Sequence, residues 1–148
     1  MTYRLLFLCT GNSARSQMAE AILNAKGRGR FEAASAGSQP AIRVNPYAIE
    51  MLREFGIRWA GHPPRRVDGL EREHWDFVIT VCDHAKEACP IFPGQPVLAH
   101  WSIADPAEVD GDDATKQAAF RAAFLELSRR IDHLLAQPAL ARESPIVK

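Results

Sequence analysis

The chain has 148 residues, a length that suits one domain with a substantial core. Its 18 basic residues balance its 18 acidic residues, so nothing in the charge favours a nucleic-acid or membrane partner. No apolar stretch reaches membrane length, and the first residues do not resemble a signal peptide. The three cysteines are an odd number, which argues against a secreted disulfide framework, so we expect a cytoplasmic protein.

Predicted strands and helices alternate along the chain. Four apolar or β-branched stretches predict strands, at residues 3–8, 31–37, 75–81 and 97–101. Helical patterns follow at residues 14–26, 46–56 and 113–135. Strands that alternate with helices predict an α/β fold with a parallel sheet. The domain is expected to cover residues 1–137, with residues 138–148 as a frayed C-terminal tail.

The stretch between the first strand and the first helix carries the strongest functional signal. It reads Cys9, Thr10, Gly11, Asn12, Ser13, Ala14, Arg15 and Ser16. A helix N-terminus presents unpaired N–H groups and partial positive charge, so a loop there favours an oxyanion. Arg15 adds a planar fork of donors, and both features should favour the thiolate of Cys9. We predict an oxyanion-binding loop with Cys9 as nucleophile and Ser16 as a hydrogen-bond donor to its sulfur.

Two more chemically active residues follow predicted strands. Cys82 ends the third strand, and Asp105 lies a few residues beyond the fourth. Because the carboxyl ends of parallel strands share one edge of a sheet, Cys9, Cys82 and Asp105 are predicted to converge. A cysteine alone is more often a small buried hydrophobe, and an Asp-Pro pair is more often an ordinary turn. The coincidence of all three favours a site.

The motifs around these residues resemble a known family. Residues 7–20 resemble the low-molecular-weight protein tyrosine phosphatases and, more closely, the thioredoxin-coupled arsenate reductases built on the same fold. Further matching motifs are Ser35-Ala36-Gly37, Val44-Asn45-Pro46, Val81-Cys82, Cys89-Pro90, His100-Trp101 and Asp105-Pro106. The resemblance implies four parallel strands in the order 2-1-3-4. Ala14, where phosphatases usually carry a second cysteine, and Ala107-Glu108, where they usually carry tyrosines, favour the reductases.

The resemblance also implies a mechanism. Cys9 would attack arsenate held by Arg15 and the loop, with Asp105 as general acid. Cys82 would then attack Cys9 and release arsenite, and Cys89 would attack Cys82. Thioredoxin would reduce the resulting Cys82–Cys89 disulfide. Phosphate or sulfate would mimic the substrate in the loop.

Two other functions use the same residues. A phosphatase would hydrolyse phosphate monoesters through a cysteinyl-phosphate, and it would require neither Cys82 nor Cys89. A binding protein that senses oxyanions or redox state would need no general acid, so the presence of Asp105 argues against it.

No bound cofactor is expected. Some reductases of this family hold potassium with residues that match Asn12, Glu20, Ser35 and an acidic residue a few positions after His62. Arg65 stands at that last position here, so its guanidinium is expected to replace the cation. His62 itself has no evident partner in the sequence and is predicted to be a surface residue.

A metal centre is the remaining alternative. It would use Cys82, His84 and Cys89, with His100 nearby in sequence, but this spacing fits no standard zinc pattern. We therefore predict no metal site.

Overall fold

The computed structural model describes residues 2–59, 61–82 and 92–137. Four strands form one parallel sheet, namely β1 (Tyr3–Cys9), β2 (Phe31–Gly37), β3 (Phe77–Thr80) and β4 (Val97–His100). Their order is β2-β1-β3-β4, which confirms the predicted topology. The register pairs Cys9 with Gly37 and Thr80 with His100, so the carboxyl ends of all four strands meet at one edge.

Three α-helices belong to the described residues, α1 (Arg15–Lys26), α2 (Pro46–Glu54) and α3 (Asp113–Leu135). Asn45 caps α2 by accepting a hydrogen bond from the Tyr47 N–H at 2.9 Å. Asp112 caps α3 in the same way through Thr115, also at 2.9 Å. Short 3-10 helices cover Leu70–Arg72 and Pro106–Glu108. In the described part of the chain, no helix is both long enough and apolar enough to cross a bilayer.

The third strand is shorter than its apolar run predicts. The ladder covers Phe77–Thr80, whereas the apolar pattern extends from residue 75 to residue 81. Trp75 lies before the ladder, where its indole N–H donates to the Leu70 carbonyl at 2.7 Å and the Arg4 guanidinium lies 4.2 Å from its ring centroid. Trp75 and Val81 are both buried. The apolar run therefore indicates which residues are buried, and it extends past the residues that pair in the sheet.

The core lies on both faces of the central strands. Leu5, Leu6 and Phe7 of β1 are fully buried on successive positions, as expected for a parallel sheet that is covered on both sides. The helices add Met18, Ile22, Leu52, Phe120, Leu127 and Ile131 to this core. The sheet therefore provides a rigid platform for whatever its carboxyl edge carries. The predicted tail at residues 138–148 lies outside the described residues.

Candidate functional site

The loop over residues 9–16, here called the anion loop, connects the end of β1 to the start of α1. Its carbonyls accept hydrogen bonds from the neighbouring segment, from Gln39 N–H to Thr10 at 2.9 Å and from Ala41 N–H to Gly11 at 2.9 Å. The backbone N–H groups of residues 11–16 donate to no acceptor within the described chain. Consecutive backbone N–H groups that have no acceptor, at the start of a helix, form a concave anion-binding site.

Gly37, at the end of β2, fixes the position of this loop. A Cβ atom on residue 37 would lie 2.4 Å from the Thr10 carbonyl oxygen, a separation that real Cβ contacts do not show. Only glycine therefore fits where the two chains approach. This explains why the Ser35-Ala36-Gly37 motif ends in glycine, because the end of β2 packs directly against the anion loop.

Asn12 shapes the anion loop through its side chain. It is fully buried and has a left-handed backbone with φ of 51°. Its Nδ2 donates to Ser16 Oγ at 2.8 Å and to Ser35 Oγ at 2.9 Å, while its Oδ1 accepts from the Arg65 N–H at 3.1 Å. Gln17, which is also buried, donates to the Asn12 carbonyl at 3.2 Å. The Ser16 hydroxyl thus accepts a hydrogen bond from within the loop.

A buried polar chain extends from Asn12 to the residues matched with a cation site. Ser35 Oγ donates to Glu20 Oε1 at 2.6 Å, and His62 Nε2 lies 3.1 Å from the same oxygen. Arg65 Nε donates to the Ser35 carbonyl at 3.0 Å. The prediction that His62 lacks a partner is wrong, because the chain fold brings a residue 42 positions away, Glu20, against it. A pair of residues so far apart in the chain cannot be recognised from the sequence alone.

Arg15 and Asp105 meet across the site. Arg15 Nη1 donates to the Ile103 carbonyl at 2.9 Å, and Nη2 lies 3.3 Å from Asp105 Oδ2. The other Asp105 oxygen accepts from the Ala107 N–H at 2.9 Å. Arg15 Nε is buried and has no acceptor among the described residues. A buried N–H without an acceptor is costly, so it marks the position where an oxyanion would complete the guanidinium.

The anion loop begins with one buried thiol, Cys9, and a second buried thiol, Cys82, contacts its Thr10. Thr10 Oγ1 and Cys82 Sγ share a hydrogen bond at 3.1 Å. The hydrogen bond between Cys9 and Cys82, together with burial, raises the pKa of Cys9 well above its usual value, although Arg15 and the Thr10 N–H act in the opposite direction. Arg15 and the Thr10 N–H thus lower the pKa of Cys9, as the loop predicts, while burial and the neighbouring Cys82 thiol raise it by more.

A cleft of about 730 Å³ opens above these groups. Thr10, Arg15, Cys82 and Asp105 line it, and further lining residues are Gln39, Ser102, Ile103, Ala104 and Glu108. Cys9 is only 3 % exposed and is not among the residues that line the cleft. The carboxyl edge of the sheet thus brings together the oxyanion donors, a carboxylate and two thiols, as the parallel topology predicts.

Several predicted site residues fall outside what the structure describes. Cys89 and His84 belong to residues 83–91, which lie between the described segments. Within the described residues, no group of three His, Cys, Asp or Glu side chains could hold a metal ion.

Sequence reasoning missed two contributors to the site. Gln17 is a buried amide on α1, and only its position among apolar residues signals its role. Ile103 acts through its carbonyl, for which the side chain gives no signal.

The chain is similar to proteins of one family throughout its length. Residues 4–145 match the family described as low molecular weight phosphotyrosine protein phosphatase. An arsenate reductase of Halalkalibacterium halodurans is 38 % identical over 127 residues, which are 86 % of this chain and 91 % of that protein.

Solved structures agree with this assignment. An arsenate reductase of Archaeoglobus fulgidus is 32 % identical and superposes with a TM-score of 0.73 over 90 % of this chain and 99 % of its own. A thioredoxin-dependent arsenate reductase of Corynebacterium glutamicum is 27 % identical with a TM-score of 0.75, over 95 % of this chain and 64 % of its own. The chain therefore belongs to the low molecular weight phosphotyrosine protein phosphatase family, and its relatives there include arsenate reductases.

Proposed function

We propose that this protein reduces arsenate to arsenite with thiols as the electron donors. The observation that carries the proposal is the pair of buried thiols at the anion loop, with Cys9 at its start and Cys82 held 3.1 Å from the Thr10 hydroxyl. Hydrolysis of a phosphate ester needs one nucleophilic thiol at this loop. A reduction needs two electrons, and two adjacent thiols supply them when they form a disulfide.

The first step is substitution at arsenic. Arsenate binds to the N–H groups of the anion loop and to Arg15, whose Nε N–H has no acceptor among the described residues. Cys9 passes its proton to a bound arsenate oxygen and attacks arsenic, an S–As bond forms, and one As–O bond breaks so that a second oxygen leaves as water. Asp105, which lines the same cleft, is the general acid that in its protonated form donates a proton to that oxygen. The arsenic remains in its +5 state.

The second step transfers the electrons. Cys82 loses its proton and attacks the Cys9 sulfur, so an S–S bond forms while the S–As bond breaks. Arsenic keeps the electron pair of the broken bond, falls to its +3 state and leaves as arsenite. The two sulfurs are oxidised by two electrons in total, which balances the reduction. The Thr10 hydroxyl, 3.1 Å from Cys82 Sγ, orients the attacking thiol.

Recycling requires a third thiol and an external reductant. Cys89 is the remaining cysteine, so we propose that it attacks Cys82, releases Cys9 and leaves a Cys82–Cys89 disulfide. Thioredoxin is the proposed reductant, and the thioredoxin-dependent relative from Corynebacterium glutamicum supports this choice. The cytoplasm, where disulfides are kept reduced, is the compartment in which the cycle would run.

The enzyme is proposed to work without potassium. The Arg65 guanidinium donates to the Ser35 carbonyl, and the carboxylate of Glu20 accepts from the Ser35 hydroxyl. A guanidinium that already donates to the Ser35 carbonyl supplies positive charge where a cation would bring it.

The test compares two reactions of one purified protein. Arsenate-dependent NADPH oxidation, coupled through thioredoxin and thioredoxin reductase, reports reduction, and release of 4-nitrophenol from its phosphate reports hydrolysis. We expect Cys9→Ser to abolish both reactions. Cys82→Ser and Cys89→Ser should abolish only multiple-turnover reduction, because hydrolysis uses Cys9, Arg15 and Asp105.

Two results would change the assignment. Efficient hydrolysis without any arsenate-dependent NADPH oxidation would make the protein a phosphatase, the alternative function. Loss of both reactions to the same extent in Cys82→Ser would make Cys82 a structural residue.

A further inference from the structure

Each backbone carbonyl from residue 9 to residue 14 of the anion loop accepts a hydrogen bond. Backbone N–H groups serve the carbonyls of residues 9, 10, 11, 13 and 14, at 2.8 to 3.2 Å, and these donors belong to Ser38, Gln39, Ala41, Asn45 and Met18. The Asn12 carbonyl differs, because its donor in the described chain is a side chain, the Nε2 of Gln17 at 3.2 Å. The orientation of this one peptide group therefore depends on the identity of a side chain.

The Asn12 carbonyl also sets the direction of the next N–H group. A peptide group is planar and trans, so the carbonyl of Asn12 and the N–H of Ser13 point in opposite directions. The Ser13 N–H has no acceptor in the described chain. Without a donor, the Asn12 carbonyl would turn toward water and the Ser13 N–H would turn with it. Gln17 thus keeps one of the free N–H groups of the anion loop in place.

The Gln17 amide is itself held in the orientation that this contact requires. It lies in the first turn of α1 and is 1 % exposed. The Trp59 indole N–H, which can only donate, contacts Oε1 at 3.1 Å, so Nε2 lies on the other side of the amide. Nε2 also donates to the His62 carbonyl at 3.0 Å. The amide therefore needs a donor where it faces the anion loop and an acceptor where it faces Trp59.

We propose that Gln17 is a positioning residue for the oxyanion, because it fixes the peptide group that carries the Ser13 N–H. The inference rests on the proposed function, in which arsenate binds to the N–H groups of the anion loop. Gln17 acts through Asn12 and does not touch the substrate. A carboxylate in its place would face the carbonyl oxygens of Asn12 and His62 in a buried space, where it could not donate to either.

Sulfate binding, measured by calorimetry, tests the inference without turnover, since sulfate keeps its charge over the whole pH range used. Gln17→Met removes the amide at nearly constant volume, and Gln17→Glu introduces a carboxyl group that donates only when protonated. We expect Gln17→Met to weaken sulfate binding by roughly tenfold at every pH. Gln17→Glu should show the same loss at about pH 8 and return to within about threefold of the wild type at about pH 5.5, because burial raises the pKa of the new carboxyl group.

Each affinity is compared with that of the wild type at the same pH. Every variant keeps the other titratable and charged side chains around the loop, which include Cys9, Arg15, Glu20, His62, Arg65 and Asp105. Asn24→Asp is the matched control, because it makes the same change from amide to acid on α1, where the Asn24 amide donates to the Ala33 carbonyl at 3.1 Å. The control should bind sulfate as the wild type does at every pH.

Two outcomes would overturn the inference. A sulfate affinity within about twofold of the wild type in folded Gln17→Met would show that the Asn12 carbonyl needs no donor. An equal loss at both pH values in Gln17→Glu would show that Gln17 serves packing alone. If urea unfolding shows that neither variant is folded, Trp59→Phe takes their place, since it frees the amide to turn over. It should weaken sulfate binding by about threefold, and an unchanged affinity would count against the inference.

The inference and the proposed function fail separately. Sulfate binding involves no electron transfer, so recovery of Gln17→Glu at low pH in a protein without arsenate-dependent NADPH oxidation would refute only the proposed function. Full NADPH oxidation in a protein whose sulfate affinity ignores Gln17 would refute only the role of Gln17.

Discussion

Asn12 offers a direct test of how the anion loop is built. Asn12→Ala removes hydrogen bonds of 2.8, 2.9 and 3.1 Å to Ser16, Ser35 and Arg65. These contribute about 1 kcal/mol each, and the left-handed backbone adds about 1 kcal/mol of strain for alanine. We therefore expect a loss of about 4 kcal/mol in the free energy of unfolding, which corresponds to a fall in Tm of roughly 10 to 15 °C.

Urea unfolding and thermal melts, each with and without phosphate, measure this effect. Asn24→Ala is the matched control, because Asn24 makes two hydrogen bonds to Ala33 but lies within the regular backbone of α1. It should lose only about 1 kcal/mol, since alanine is also the better helix former. Phosphate should stabilise the control as it does the wild type and should stabilise Asn12→Ala less. Equal losses in the two variants, or undiminished stabilisation by phosphate, would refute the assigned role.

Three further predictions concern the surrounding groups. Gly37→Ala should displace the anion loop and lower phosphate affinity by at least roughly tenfold, measured by calorimetry, because the new Cβ would meet the Thr10 carbonyl at 2.4 Å. Arg15→Lys should lower kcat/KM for arsenate by roughly a hundredfold in the coupled assay, since an ammonium cannot reproduce the guanidinium fork. Cys82→Ala should remove the hydrogen bond that raises the pKa of Cys9, so the pH midpoint of Cys9 alkylation, followed by mass spectrometry, should move lower. The first prediction fails if Gly37→Ala binds phosphate as tightly as the wild type. The second fails if Arg15→Lys keeps its kcat/KM, and the third fails if the pH midpoint of Cys9 alkylation is the same in Cys82→Ala.

Much of the fold follows from local patterns in the sequence. The alternation of apolar strands with amphipathic helices predicts the parallel sheet, and Asn45 before Pro46 predicts the start of α2 because capping chemistry is local. The end of β3 is less predictable, since Trp75 and Val81 are buried without belonging to the ladder. Hydrophobicity indicates which residues leave water, whereas pairing depends on where the neighbouring strands end.

Part of the site can also be predicted from the sequence, and part of it cannot. Parallel topology is enough to bring Cys82 and Asp105 to the anion loop, because strand ends converge whatever the details of packing. The pairing of His62 with Glu20 and the support of Arg15 by the Ile103 carbonyl depend on contacts between distant segments. No spacing rule encodes such contacts, so the sequence shows which groups are available and leaves their partners unspecified.

The raised pKa of Cys9 follows from the feature that makes the site suitable for reduction. A second thiol close enough to form a disulfide is also close enough to hydrogen-bond to the first, and that contact stabilises the protonated form. A site with one cysteine would leave only burial to oppose Arg15 and the loop N–H groups, which favour the thiolate. In the proposed relay, Cys9 is therefore harder to deprotonate, because the thiol that supplies the second electron lies next to it. Thr10 connects the two requirements, since its N–H lowers the pKa of Cys9 while its hydroxyl holds Cys82 in place.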